Sequence, residues 1–140
     1  MLIAEDHPVN RKVVELLLQG AEADLTTVEN GAQAVDAFTH QSFDIVLMDV
    51  QMPVMDGLAA IAAIRKIEAD RGRGRTPVIA LTANALPEDQ RRSEQAGADA
   101  HLTKPITAAT LLPAIERALT RAAAAAASGR TAAREEVAAA

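Results

Sequence analysis

The 140-residue chain has no cysteine, tryptophan or tyrosine, and it has only two phenylalanines. Without cysteine it forms no disulfide framework and no thiolate metal site, and it carries no thiol nucleophile. A net charge of −5 and the scarcity of aromatic side chains argue against a nucleic-acid surface built on base stacking. No apolar run approaches the ~20 residues of a membrane span, and no charged-then-apolar leader opens the chain. We therefore expect a cytoplasmic domain that contacts neither nucleic acid nor membrane.

The composition is typical of one globular domain, with 49% apolar and 24% charged residues. Alanine accounts for 32 residues, and 11 of these lie after residue 121. We predict a folded domain over residues 1–121 and an alanine-rich helical extension or linker over 122–140. Ser128 and Gly129 are expected to interrupt that helical run. A helix that docks on a partner is the alternative for the tail.

Short apolar runs alternate with helix-like stretches along the chain. The runs predicted as strands are residues 2–4, 25–28, 45–48, 78–81 and 100–103. Regular alternation of strands and helices predicts a parallel sheet that is covered by helices on both faces, with right-handed crossovers. In such sheets a ligand binds beyond the carboxyl ends of the strands. That edge is where functional residues are expected.

Local signals define the helices between these strands. Asn30 is a predicted N-cap, and the helix over residues 87–96 is so polar that we expect it to be loosely anchored. The arginines of the loop at residues 70–75 are expected to be solvated. Helical spacing predicts a buried stripe on the first helix, formed by Val9, Val13, Leu16 and Leu17.

Charged and hydroxyl side chains follow four of the five predicted strands. They are Glu5, Asp6, Asp49, Thr82 and Lys104. A single aspartate after a strand is usually a turn former, but the coincidence at four strand ends favours a site. Three clustered carboxylates repel one another, and a hard cation such as Mg²⁺ (or Mn²⁺) relieves the repulsion. With such a cation bound, one carboxylate can attack a phosphoryl group whose oxygens the ammonium and hydroxyl hold.

Four segments carry a resemblance to a known family. The segments, in order along residues 1 to about 121, are EDHPVNR at 5–11, MDVQMPVMDG at 48–57, ALTANA at 80–85 and LTKP at 102–105. Together they resemble the response-regulator receiver domains of two-component phosphorelays, most of all those of hybrid histidine kinases. The resemblance implies an α/β, flavodoxin-like three-layer (βα)5 fold with a parallel five-stranded sheet in the order 2-1-3-4-5. A Gly-x-Gly-x-x-Gly segment does not follow the first strand, which counts against a dinucleotide-binding fold.

The resemblance also implies roles in the chemistry. Asp49 is implied as the phosphoacceptor, and it would bind the metal directly together with Asp6 and the main-chain carbonyl of Gln51. Glu5 would hold the ion through water. Gln51 and Asn84 would line the path of the hydrolytic water and so set the lifetime of the aspartyl phosphate.

The remaining implied roles concern the phosphoryl group and the switch. Thr82 and Lys104 would contact the phosphoryl group, and the peptide bond before Pro105 is expected to be cis. Thr82 would also act as a switch with the aromatic residue that receivers usually carry three positions before the lysine. Here that position holds His101, for which we weigh a switch role of altered polarity against an ordinary structural role.

The expected partner is a histidine kinase or a histidine phosphotransfer protein, and the domain is expected to be a monomer or weak dimer. It would catalyse only its own phosphorylation and dephosphorylation. Two alternatives remain: an aspartate-nucleophile phosphatase and a pseudo-receiver that only binds partners. The first lacks a second carboxylate at Gln51, and the second is disfavoured because Asp49, Thr82 and Lys104 are all present.

Overall fold

The computed structural model describes residues 1–19, 24–52, 55–72, 74–83 and 86–139, with the backbone alone from 125 onward. Over these ranges five strands alternate with five helices. In chain order they are β1 (Leu2–Ala4), α1 (Pro8–Leu18), β2 (Thr26–Val28), α2 (Gly31–His40), β3 (Val46–Asp49), α3 (Gly57–Arg71), β4 (Val78–Thr82), α4 (Pro87–Ala96), β5 (Ala100–Thr103) and α5 (Ala108–Ala139). The predicted alternation is confirmed, and strand ends differ by one residue at most.

The described strands form one sheet, in which every pairing is parallel and the order is β2-β1-β3-β4-β5. This is the predicted flavodoxin-like arrangement. Ala4 at the end of β1 lies between Val28 of β2 and Met48 of β3. The carboxyl ends of β1 and β3 are therefore neighbours, at the point where the strand order reverses.

Helices cover both faces of the sheet and give three layers. On one face, α2 and α3 contribute Phe38, Ile61 and Ile64 to a core with alternate residues of β1, β3 and β4. On the other face, α1 and α5 contribute Leu18 and Leu111. Because β3 is buried on both sides, its continuous apolar run lacks the polar alternation of a half-exposed strand.

The predicted buried stripe of α1 is wrong. Val14 and Leu18 face the core, and Leu17 is half-buried against it. Three of the four predicted residues are exposed, with fractions of 62% for Val9, 38% for Val13 and 56% for Leu16. Since α1 is apolar at six of its eleven positions, spacing alone defines two overlapping stripes. Tertiary packing selects the face that carries Val14 and Leu18.

Helix α4 is attached by hydrogen bonds at its carboxyl end, and of its described residues Ser93 is the one that is buried, so the loose anchoring stays a prediction. Gly97 ends the helix with φ +115°, and Arg65 of α3 donates to the Gly97 carbonyl from Nε at 2.9 Å and Nη2 at 2.8 Å. A β-carbon at Gly97 would lie 2.7 Å from the Arg65 side chain. Both the backbone conformation and this close approach require glycine.

Arg65 is the centre of an ion-pair cluster that we call the arginine network: Arg65, Glu68, Arg75 and Asp99. Its Nη1 lies 2.7 Å from Glu68 Oε1, and its Nη2 lies 2.7 Å from Asp99 Oδ2. Arg75, expected to be solvated, donates to Asp99 at 2.9 Å. Arg71 donates to the Thr39 carbonyl, and Arg73 lies outside the described residues. The prediction of simple solvation is therefore wrong for Arg75.

Helix α5 continues along the alanine-rich segment to Ala139. The predicted interruption at Ser128 and Gly129 is wrong, because single serine and glycine residues cost only about 1 kcal/mol or less each in a helix flanked by alanine. The domain boundary after residue 121 stays a prediction. Within the described part of the chain, no helix combines the length and apolar character required to cross a membrane.

Candidate functional site

Three carboxylates meet at the carboxyl edge of the sheet. Glu5 and Asp6 directly follow β1, and Asp49 is the last residue of β3. One oxygen from each lies within 4.8 Å of the others. Glu5 and Asp49 are buried, at 1% and 2% exposure, whereas Asp6 is exposed. The adjacency of β1 and β3 therefore brings together side chains that are separated by 44 positions along the chain.

Lys104 reaches this acidic cluster from the end of β5. Its Nζ lies 3.0 Å from Asp49 Oδ2 and 3.1 Å from Glu5 Oε2. Its amide donates to the Thr82 carbonyl at 2.7 Å, and the Lys104–Pro105 peptide bond is cis. Burial alone would lower the pKa of Lys104, but the Asp49 and Glu5 carboxylates outweigh burial and raise its pKa. The ammonium therefore stays charged and balances one of the three negative charges.

The surroundings of Asp49 oppose the ionisation of its carboxyl group. Its burial, together with the nearby Glu5 charge, raises the pKa of Asp49 to about 6, although the hydrogen bond from Lys104 opposes the rise. The Gln51 amide also donates to Asp49 Oδ1 at 3.2 Å. One ammonium thus leaves the cluster short of positive charge when all three carboxylates are ionised.

The cluster fits a hard divalent cation. All of its side-chain donors are carboxylate oxygens, the ligands that Mg²⁺ and Mn²⁺ prefer. The buried Oε2 of Glu5 has the Lys104 ammonium as its ion-pair partner at 3.1 Å, and Lys104 is shared between Glu5 and Asp49. A further cation or a water would offset the desolvation of this oxygen that the shared ammonium leaves uncompensated.

The turn before α3 packs against the backbone of Asp49. Gly57 donates its amide to the Val50 carbonyl at 2.9 Å. A β-carbon at Gly57 would overlap the Asp49 carbonyl oxygen, so no other residue fits without displacing the chain. Asp56 caps α3 by accepting from the Ala59 amide at 2.8 Å. The Met-Asp-Gly sequence therefore does more than turn the chain: it allows α3 to begin against the backbone of Asp49.

The other predicted residues lie at different distances from this centre. Thr82 is buried at the end of β4, one residue beyond Leu81, which is the register partner of Asp49. Gln51 is exposed, and its carbonyl as a metal ligand stays a prediction. His101 lies opposite Ala80, further back along β5, and lines a separate cavity of about 490 Å³ beside α4 and α5. Asn84 lies outside the described residues.

Arg11 is a residue whose part in the site the sequence did not reveal. It lies on the same face of α1 as Val14 and Leu18, since positions 11, 14 and 18 are helical neighbours. From that face its guanidinium reaches the Glu5 carbonyl at 3.1 Å. The sequence signal for this contact is a charged residue on the face of α1 that packs against the sheet. That signal can be recognised only once the packed face is known.

Comparison with known proteins gives a consistent result. Residues 1–116 match the family model described as the response regulator receiver domain. Sensor protein GacS of Pseudomonas syringae is 46% identical over 107 residues, or 76% of this chain, and the sensory/regulatory protein RpfC of Xanthomonas campestris is 42% identical over 112 residues, or 80%. The chain spans about 12% of the length of the first and 15% of the second.

Solved structures agree with the sequence relatives. The receiver domain of sensor histidine kinase PA1611 from Pseudomonas aeruginosa, crystallised with magnesium in its active-site cleft, is 41% identical with a TM-score of 0.76, over 85% of this chain and 95% of that one. The Ssk1 receiver domain of Saccharomyces cerevisiae, solved with the phosphotransfer protein Ypd1, is 28% identical with a TM-score of 0.78, over 81% of this chain and 83% of that one. The chain belongs to the response regulator receiver domain family.

Proposed function

We propose that this domain accepts a phosphoryl group from a phosphohistidine onto Asp49, with Mg²⁺ as cofactor, and later loses it by slow hydrolysis. The observation that carries the proposal is the meeting of Glu5, Asp6, Asp49 and Lys104 at one edge of the sheet. Membership of the receiver family, and the magnesium in the PA1611 receiver, support the same chemistry.

In the transfer step, an oxygen of Asp49 forms a bond to phosphorus while the P–N bond to the donor histidine breaks. The electron pair of that bond stays on the imidazole. Lys104 and Thr82 would hold oxygens of the incoming group, since Lys104 Nζ lies 3.0 Å from Asp49 Oδ2 and Thr82 lies one residue beyond the register partner of Asp49 on the adjacent strand. Asp6 and Asp49, with the Gln51 carbonyl, would hold the cation directly, and Glu5 would hold it through water. The bound cation supplies positive charge that offsets the phosphoryl oxygens.

The donor is a histidine kinase or a histidine phosphotransfer protein, and its docking site is the exposed face of α1. Helix α1 begins two residues after Asp6, so a partner seated on it lies next to Asp49. Val9, Val13 and Leu16 present an apolar stripe on that face, as a helix-packing surface requires. The Ssk1 receiver was solved with Ypd1, and we extend that class of partner to this chain.

The response to phosphorylation involves a second set of residues. Thr82 contacts the phosphoryl group, and its movement is transmitted along β4 and β5 to His101 and α4. Gln51 and Asn84 control access of the hydrolytic water. In this proposal the domain is a cytoplasmic monomer or weak dimer, and it acts on no external substrate. The uncharged Gln51, in place of a second catalytic carboxylate, disfavours a phosphatase.

Incorporation of phosphate tests the proposal. The full chain is incubated with phosphoramidate and MgCl₂, and intact mass is followed with time. We expect a gain of one hydroxylamine-sensitive phosphoryl group in the wild type, none in Asp49→Asn, and none in the presence of EDTA. Asp44→Asn, which removes an exposed carboxylate at the opposite edge of the sheet, is the matched control and should behave as the wild type. A wild-type protein that gains no phosphoryl group would contradict the proposal.

A further inference from the structure

Arg11 of α1 binds the Glu5 carbonyl, a contact that docking of a partner on the exposed face of α1 does not explain. It points away from the exposed stripe of α1, and its side chain is only 19% exposed. Its Nη1 donates to the main-chain carbonyl of Glu5 at 3.1 Å. Its Nη2 lies 3.7 Å from Glu29, which directly follows β2 and is itself 67% exposed. The guanidinium thus bridges the loops that follow β1 and β2.

The carbonyl that Arg11 binds has a special place in the site. It belongs to the peptide unit that joins Glu5 to Asp6, and the orientation of that unit affects the direction of both side chains. The amide on the other side of Glu5 donates to the Val28 carbonyl at 3.1 Å. The backbone of Glu5 is therefore fixed at both ends, by β2 on one side and by Arg11 on the other.

The Glu5 side chain is fixed as well. Its Oε1 accepts from the His7 amide at 3.2 Å and from Asn10 Nδ2 at 3.5 Å, both at the start of α1. Its Oε2 is left directed toward Lys104 and the other carboxylates. Arg11 makes the hydrogen bond that holds the backbone, and the weaker Asn10 contact holds the carboxylate.

Attraction to the acidic cluster does not explain where the Arg11 guanidinium lies. The guanidinium binds a neutral carbonyl on the backbone side of the acidic pair, and its carboxylate partner is Glu29, which is outside the cluster. An ion pair at 3.7 Å with a mostly exposed partner contributes little stability. What Arg11 contributes is the geometry of the Glu5–Asp6 peptide.

We propose that Arg11 is a positioning residue for the metal site, which sets the affinity for Mg²⁺ by holding the peptide unit between Glu5 and Asp6. The inference rests on the proposed function, because it takes Asp6 as a direct ligand of the metal and Glu5 as a residue that holds the metal through water. Partners that orient metal ligands commonly change metal affinity by 10- to 100-fold when they are removed. The effect is expected at the low end of that range, since Arg11 acts through the backbone.

Calorimetric titration of the full chain with MgCl₂ at constant ionic strength tests the proposal. We expect Arg11→Met to weaken Mg²⁺ binding about tenfold and Arg11→Lys, which keeps the charge and one donor, to weaken it less. Lys12→Met removes a neighbouring exposed cation of α1 and should stay within about twofold of the wild type, by the weak effect of exposed charges. Equal affinities for Arg11→Met and Lys12→Met would overturn the proposal. A wild-type protein that does not bind Mg²⁺ would instead overturn the proposed function.

Nuclear magnetic resonance supplies a measurement that does not depend on the fold of a variant. In the wild-type protein, the Nη–H signals of Arg11 should shift as Mg²⁺ saturates the site, because Nη1 donates to the carbonyl of the peptide that the ion polarises. The signal of Arg121, exposed on α5, is the internal reference and should not shift. If Arg11→Met fails to fold, this titration decides the question, and an unmoved Arg11 signal would overturn the inference.

Discussion

Two charged clusters lie at opposite edges of the sheet and use the same kinds of side chain differently. The site at the carboxyl edge contains three carboxylates and a single ammonium, Lys104. The arginine network at the amino edge contains two carboxylates and two guanidinium groups, joined at 2.7 to 2.9 Å. The network balances its own charge and therefore fixes structure. The site leaves negative charge unbalanced, which a bound cation would offset.

The network also binds more backbone than the site does. Arg65 donates to the Thr76 and Gly97 carbonyls, while Glu68 accepts from the Thr76 amide and Asp99 accepts from the Val78 amide. These bonds join the end of α3 to the starts of β4 and β5. The comparison predicts that charge-neutralising substitutions will change the free energy of unfolding in opposite directions at the two edges.

Arg65→Met is expected to have the largest effect on stability. It leaves Glu68 and Asp99 without their main partner, and Glu68 is nearly buried, with 6% of its side chain exposed. Removing one member of a buried ion pair costs about 3–5 kcal/mol. Urea unfolding followed by circular dichroism measures the loss, since the chain lacks tryptophan and tyrosine. The matched control is Arg75→Met, whose side chain is 60% exposed and should cost about 1 kcal/mol or less. Similar losses in both variants would contradict this account of the network.

Removing one carboxylate from each edge should change the free energy of unfolding in opposite directions. At pH 7.5 in EDTA, Asp49→Asn is expected to stabilise the protein by about 1–2 kcal/mol, because it removes a buried charge that lacks full compensation. Glu68→Gln is expected to destabilise it by about 2 kcal/mol, because Arg65 and the Thr76 amide lose a charged acceptor. Both variants are compared by urea unfolding. If both substitutions changed the free energy of unfolding in the same direction, the contrast between the two edges would be contradicted.

The stabilisation by Asp49→Asn should depend on pH. The pKa of Asp49 is raised from 3.8 to about 6 in the folded protein, so folding favours its protonated form. The stability that this group contributes is fully present below pH 3.8 and is lost as the pH rises through about 6. The difference between wild type and variant should therefore be near zero at pH 4 and approach about 1–2 kcal/mol at pH 7.5. Unfolding curves at both pH values in EDTA measure it. If the difference in free energy of unfolding between wild type and variant stayed constant with pH, Asp49 would have no raised pKa.

Magnesium should stabilise the protein through the site and leave the arginine network unaffected. At ten times its dissociation constant, a ligand raises the free energy of unfolding by about 1.4 kcal/mol. We expect this gain in the wild type and in Arg75→Met, and its loss in Asp6→Asn, when thermal unfolding is followed with and without MgCl₂. Asp44→Asn controls for the change in net charge. An unchanged response in Asp6→Asn would remove that residue from the ligand set.

Features encoded in short stretches of sequence were predictable. The β3 run is apolar because both faces of that strand are covered, and Asn30 caps α2 by accepting from the Gln33 amide. The bounds of α4 follow from Pro87 at its start and Gly97 after its end. The acidic cluster was predictable because the topology of a parallel sheet brings strand ends together.

Features that depend on long-range packing were not predictable from local patterns. The inward face of α1 is selected by the sheet, since its spacing allows two faces. Arg65 and Asp99 are 34 positions apart, and neither carries a local mark of its partner. Arg11 was hidden for the same reason: its target is a backbone carbonyl, which has no signature in the sequence.

The backbone at Gly57 lies against the main chain of Asp49, with no side chain between the two segments. A movement of Asp49 on the esterification proposed above would therefore press directly on the first turn of α3. Such a link is mechanical and does not depend on the chemistry of any intervening residue. Substitutions elsewhere on α3 can then diversify its outer surface while the coupling to the reactive centre is preserved.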